Sequence, residues 1–268
     1  MPFVPYRARR TAGLMAVLLC SAIAADAPDV LFQRVKSHMS EHLANLPNYT
    51  CHETIDRFAR SGDSFQHLDQ VRLEVIFTGQ QELFSRTKDG RFQEQPVHQL
   101  VSWGTISNGA LGSHIDRLVT QGEAEFKYSG TGKKDGHKAL RFDFIVPIEK
   151  SHFQVRHNGN EGIAGYKGTL WVDAETYDPV RVDFKVDRIP STVGVRRIEE
   201  SLRYQKLTIA KSDFYLPVRS DLAATDQDGN YSLNLAKLEG CREFTADSVV
   251  QYKTPSQGSA ARDKEDHP

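Results

Sequence analysis

From Tyr49 onward, apolar and polar residues alternate with a period of two. Val71, Leu73, Val75 and Phe77 are interleaved with Arg72, Glu74 and Ile76, and Leu140, Phe142 and Phe144 with Arg141 and Asp143. Tyr166, Gly168, Leu170 and Val172 alternate with Lys167, Thr169, Trp171 and Asp173. The cleanest run is Val180 to Asp187, apolar at every even position and charged at every odd one. Successive strand side chains point to opposite faces, so the pattern predicts an antiparallel sheet with one dry and one wet face. Lys88-Asp89-Gly90, Lys134-Asp135-Gly136, Asn158-Gly159-Asn160 and Asp226-Gln227-Asp228-Gly229-Asn230 carry hairpin chemistry between the runs. Asp178-Pro179 joins the strand at Leu170 to the strand at Val180. Between Leu202 and Ile209 the apolar phase moves from Leu202 and Tyr204 to Leu207 and Ile209, which predicts a β-bulge.

A different period precedes the strands. Phe32, Val35, Met39, Leu43 and Leu46 recur at spacings of three or four, which predicts an amphipathic helix from about Pro28 to Leu46. Asp26 stands at its N-cap, Pro28 in its first turn, and Pro47-Asn48 at its end. A second helix is expected over roughly Ala110 to Gln121, with Leu111, Ile115, Leu118 and Val119 inward and Gly122 as the stop. Two helices are few to cover the dry side of about ten strands, so the sheet is expected to curl around them. The fold class that follows is mainly β (α+β): a half-barrel with both helices on its apolar concave face. The domain runs from 28 to 252, and the polar tail 253–268 is expected to be disordered.

The first residues change the picture. Arg7, Arg9 and Arg10 precede an apolar run from Gly13 to Ile23, which is shorter than the roughly 20 residues of a membrane-spanning helix. Ala22-Ile23-Ala24 is a small-x-small box, so residues 1–24 read as a secretory signal peptide cut after Ala24. Export to the periplasm is the first expectation and secretion the second, with no transmembrane span after cleavage. Removing the signal leaves 31 basic against 35 acidic residues, and no basic block argues for nucleic acid as a partner. Of three cysteines, Cys20 departs with the signal. Cys51 and Cys241 are then expected to form a disulfide in an oxidising compartment, adding on the order of 4 kcal/mol. Two separately buried thiols are the alternative.

Several local patterns bear on chemistry. His38-Met39-Ser40-Glu41-His42 reads H-x-x-E-H, which in one peptidase class places two zinc-binding histidines a turn apart. No third ligand can be assigned along the sequence, so the expectation is no metal, with both histidines solvated on the helix's polar side. Ser113, His114 and Asp116 collect the residue types of a hydrolytic triad, but neighbours on a helix point apart, and a polar helix face is expected. His152 and His157 fall on opposite faces of a regular strand, which argues against a metal pair. Asp173, Glu175 and Asp178 read as a charged hairpin tip rather than a calcium site. No cofactor is expected.

The segment Gly168-Thr169-Leu170-Trp171-Val172-Asp173-Ala174-Glu175-Thr176-Tyr177-Asp178-Pro179-Val180-Arg181-Val182 resembles a hairpin signature of LolA-like periplasmic proteins. These include the outer-membrane lipoprotein carrier and related sorting proteins. Phe214-Tyr215-Leu216-Pro217-Val218-Arg219 resembles the strand entry that follows in many of them. Leu46-Pro47-Asn48-Tyr49-Thr50-Cys51 and Gly240-Cys241-Arg242-Glu243-Phe244 resemble a subgroup of exported bacterial proteins. The resemblance implies an incomplete antiparallel barrel whose apolar concave face, closed by helices, holds acyl chains in the carrier. It carries over no individual contact residue. A Cys51–Cys241 bridge would tie the first strand to one of the last and stiffen the closure, a departure from the carrier.

The function expected is a periplasmic binding or carrier protein, not an enzyme, holding a lipid or other apolar ligand in the half-barrel. Its lining would be Leu73, Val75, Phe77, Phe142, Phe144, Leu170, Val172, Val182, Phe184, Leu202 and Tyr204. Partners would be a lipid, a lipoprotein or an envelope protein. The alternative is an envelope scaffold or sensor with a filled core that binds another protein; a secreted hydrolase ranks third.

Overall fold

The computed structural model describes residues 27–61, 64–78, 81–86, 92–100 and 113–244. The signal segment, Asp26, Lys88-Asp89-Gly90, Leu111 and the tail 253–268 lie outside them. The first element is helix α1 (Pro28–Ala44), whose N-cap is Ala27 with no side-chain bond, followed by strands β1 (Tyr49–Ser61), β2 (Ser64–Thr78) and β3 (Gln81–Arg86). A short helix α2 (Val97–Leu100) and a helical turn α3 (Ser113–Ile115) come next, and α3 runs on into a π-helical turn, Asp116–Thr120. Strands β4 (Glu125–Lys134), β5 (His137–Val146), β6 (Gln154–His157) and β7 (Asn160–Ile163) follow. The chain then forms β8 (Gly165–Asp173), β9 (Pro179–Asp187), β10 (Val195–Ile209), β11 (Ser212–Asp226) and β12 (Tyr231–Glu243).

Ten strands make one antiparallel sheet in the order β3-β2-β1-β12-β11-β10-β9-β8-β5-β4, and β6 with β7 form a separate ribbon. The sheet is open, since its edge strands β3 and β4 do not pair with each other. The alternation sets its two faces as expected. In β9, Val180, Val182, Phe184 and Val186 are buried while Lys185 is exposed. Asp135 and Gly136, and Asn158 and Gly159, all take positive φ, the backbone that a two-residue hairpin between right-twisted strands requires. Ala210 and Lys211 make the same kind of turn between β10 and β11 without glycine.

A bulge faces the predicted segment, but its extra residue is on the partner strand β11 rather than on β10. Arg203 pairs with Arg219 and Tyr204 with Pro217, so Val218 is the extra residue. The shift has a packing reason, because the dry face carries two separate apolar clusters and the bulge lies at their border. Leu202, Tyr204, Leu222 and Ala224 belong to the larger one, Leu207, Ile209, Phe214 and Leu216 to the smaller. α1 covers the larger cluster with Val35 and Met39, and Phe32 packs its ring 4.4 Å from that of Phe126. Ile115, Leu118 and Val119 cover it from the second helical segment. The smaller cluster, on β1 to β3 and the neighbouring strand ends, is covered by Leu100 and Val97. Cys51 and Cys241 are joined, tying β1 to β12 at a bulge where Gly240 takes φ +62°.

Candidate functional site

All eleven expected lining residues are buried on the dry face, but they divide between the clusters. Leu73, Val75 and Phe77 lie in the smaller; Phe142, Phe144, Leu170, Val172, Val182, Phe184, Leu202 and Tyr204 lie in the larger.

Between the clusters runs a seam of polar side chains on the same face. Glu53 stands between Cys51 and Ile55 on β1, and Glu200 between Ile198 and Leu202 on β10, so the period of two turns both carboxyls inward. Both are buried, as are Arg57, Ser220 and Asn234. Ser220 donates its hydroxyl to Glu200 at 2.7 Å, and Ser113 donates to Glu82 of β3 at 2.9 Å. Arg57 is spoken for, donating through Nε and one terminal nitrogen to Asp69 at 2.6 and 2.5 Å. The seam thus brings three carboxyls, those of Glu53, Glu82 and Glu200, close to one another. Burial, and then the charges of Glu82 and Glu200, push the Glu53 carboxyl up from 4.5 to about 8, so at neutral pH it keeps its proton and carries an O–H donor. Burial also raises the phenols of Tyr49 and Tyr204. The Tyr204 hydroxyl is buried with no hydrogen-bond partner among the described residues. A buried polar group left unpaired costs about 1–3 kcal/mol.

The second helical segment sits over this seam, and here the expectation of a polar solvated face is corrected. Ser113, His114, Ile115 and Asp116 are all buried. The His114 ring stacks 4.8 Å from Phe184, burial drives its pKa down to about 3, and its Nε2 has no partner among the described residues. Asp116 accepts from Thr120 and Gln121. Ser113 and Asp116 thus bond to different groups, and no hydrogen bond joins either of them to His114 among the described residues.

The histidines of α1 also differ from the expectation. His38 Nε2 lies 2.7 Å from Asp178 Oδ1, and His42 is half-buried beside Phe214, its Nε2 accepting the Tyr215 backbone N–H at 3.0 Å. Burial lowers the His42 pKa. Both rings therefore face the β8–β9 turn and β11 rather than open solvent. Asp173 behaves as a turn former, accepting the backbone N–H groups of Glu175 and Thr176 at 2.9 and 3.1 Å. His152 pairs with buried Glu123 at 2.7 Å, while His157 bonds Asn158.

The wet face carries a groove of about 870 Å³ across β4, β5 and β8 to β12. Asp143, Thr169, Asp183, Ser201 and Asp221 run across its floor on successive neighbouring strands, and Ile145, Ala223 and Leu233 give it an apolar side. Ile145 is 56% exposed.

Three solved structures are similar to this chain. One is a LolA superfamily protein from Nitrosomonas europaea, at 13% identity and TM-score 0.46, covering 82% of this chain and 96% of that one. Another is a DUF1329 family protein from Desulfovibrio piger, at 10% identity and TM-score 0.45, with 83% and 96% covered. The third is a putative outer membrane lipoprotein-sorting protein domain from Vibrio parahaemolyticus, at 9% identity and TM-score 0.40, with 79% and 92% covered. No family model and no curated protein matches the sequence. Among the described residues, no helix is long and apolar enough to cross a membrane.

The reading of the sequence passed over Glu53, Arg57, Glu200, Ser220 and Asn234. A signal existed for the two carboxyls, since each occupies an apolar phase of its own strand. Their convergence with Glu82 and Tyr204 depends on strand order, which alternation does not encode.

Proposed function

We propose that the protein is an exported binding protein, periplasmic by its signal segment, that holds an amphiphile on the dry face of the sheet. The apolar part of the ligand lies against the two clusters and its head meets the seam. The observation that carries this reading is the Tyr204 hydroxyl, buried without a hydrogen-bond partner among the described residues and beside a set of carboxyls. An apolar surface with a few convergent polar groups is the usual make-up of a small-molecule site.

The charge of the seam selects the head. The seam gathers the carboxyls of Glu53, Glu82 and Glu200, and the latter two accept from Ser113 and Ser220. A carboxylate head would bury like charges together, whereas an amide, hydroxyl or ammonium head would donate to the acceptors. The protein isolated from its native host is expected to release lipids with neutral or cationic heads on extraction and mass spectrometry. Recovery of no lipid, or only of free fatty acids, would contradict the reading.

The wet-face groove supports a second reading, an envelope scaffold that docks another protein beside Ile145. In that case Ile145→Asp would abolish a specific in-cell cross-link to an envelope protein while leaving lipid content unchanged. Loss of both, or of neither, would dismiss it.

A further inference from the structure

Two histidines one turn apart on α1 meet a carboxylate that arrives from 140 residues away along the chain. One ligand atom from each of His38, His42 and Asp178 lies within 4.8 Å of the other two. The rings of His38 and His42 are near parallel, with centroids 6.0 Å apart, as the spacing of i and i+4 on a helix dictates. Asp178 is placed by the hairpin between β8 and β9, and its side chain is 10% exposed. His38 is 35% exposed, which leaves one side of the cluster open to solution.

We propose that His38, His42 and Asp178 form a binding site for a divalent transition metal of the zinc class. Nitrogen and carboxylate oxygen are the donor types that zinc takes, at about 2.0–2.2 Å in a tetrahedral arrangement, so donors around one ion stand roughly 3.4 Å apart. The three ligand atoms lie within 4.8 Å of one another, so rotation of the side chains draws them to that spacing around one ion. The His42 ring is already oriented by the Tyr215 N–H; binding through Nε2 replaces that hydrogen bond, and binding through Nδ1 moves the ring proton to Nε2 and gives up the same hydrogen bond. Three protein ligands leave at least one coordination position open to water or to a further ligand.

The site has a mechanical consequence. α1 covers the larger apolar cluster, and Asp178 belongs to the sheet. A metal at this point ties the cover to the sheet edge-on, in place of the His38–Asp178 hydrogen bond, and holds the dry face shut. This inference does not depend on what, if anything, the dry face binds.

The test uses the protein stripped with a chelator and titrated with Co²⁺, read by its ligand-field absorption, and then with Zn²⁺ in competition. One equivalent of Co²⁺ is expected to bind and to be displaced by Zn²⁺, with Zn²⁺ raising the Tm. His42→Ala and Asp178→Asn should each weaken binding about tenfold or more while keeping the wild-type far-UV circular dichroism. His137→Ala, which alters an exposed histidine paired with Asp173, should bind like the wild type. No saturable Co²⁺ band in the wild type would overturn the proposal, as would equal binding by the two ligand variants. If either variant fails to fold, His38→Gln serves in its place, with the same loss expected.

Discussion

Gly168 sits where β8 and β9 approach most closely. A Cβ there would lie 2.7 Å from the Phe184 Cβ and 2.8 Å from its Cα, and closer still to the Asp183 carbonyl oxygen. Two of these three atoms are backbone, so they cannot move aside cheaply. Gly168→Ala is expected to cost about 1–3 kcal/mol in chemical denaturation, with unchanged secondary structure. Glu53 makes a prediction of the opposite sign. Its folded pKa of about 8 lies above the 4.5 of an ordinary glutamate, so the folded state keeps a proton that the unfolded state has released. Stability is therefore lost as the pH rises from about 4.5 through about 8. Glu53→Gln should remove that loss, stabilising the protein by at least about 1 kcal/mol at pH 8.5 and by little at pH 4.5. A difference that stays constant across this range would mean that Glu53 does not titrate as its burial requires. Both residues were visible in the sequence as departures from the apolar pattern, a glycine and a charge in dry positions. What they touch was not, because Phe184 and Glu200 are brought alongside by pairing between strands.

Among the elements, the strands were legible and the helical segments less so. A period of two over eight residues fixes which side of β9 is buried, whereas the phase change after Tyr204 on β10 accompanies a bulge whose extra residue, Val218, is on β11. The second helical segment is different: Asp116–Thr120 is a π-helical turn, and Ser113, His114 and Asp116 are buried rather than solvated. Its charge pattern matched a surface helix because nothing local reveals that Glu82 and the Phe184 ring lie opposite. The disulfide, expected from export and cysteine count, joins β1 to β12 in the middle of the sheet and closes a loop of sequence separation 190. Reduction, or Cys51→Ser with Cys241→Ser, should lower stability by about 2–5 kcal/mol, read as a fall in Tm. An unchanged Tm on full reduction would show that the pairing of β1 with β12 holds without it. The bridge is consistent with an exported protein.

At the scale of the molecule, the sequence predicted one apolar face, and the structure divides it into two clusters with a polar seam between them. Alternation cannot distinguish these cases, since it reports the face of each residue and not its neighbours across the sheet. Ser113 with Glu82, Ser220 with Glu200, and His38 with Asp178 are all contacts between separate elements. The open sheet, its one-sided burial and its N-terminal cover were therefore predictable, whereas the acidic character of the interior was not. That acidity decides the central claim, because it separates an amphiphile binder from a general apolar container. The direct measurement is a fluorescence titration with two probes of equal chain length, one an alkylamine and one a fatty acid, against the wild type and Tyr204→Phe. The account predicts saturable binding of one equivalent of the alkylamine, at least about tenfold tighter than the fatty acid and about tenfold weaker in Tyr204→Phe, as one hydrogen bond of about 1.4 kcal/mol requires. Absence of saturable binding, preference for the fatty acid, or indifference to Tyr204→Phe would contradict it.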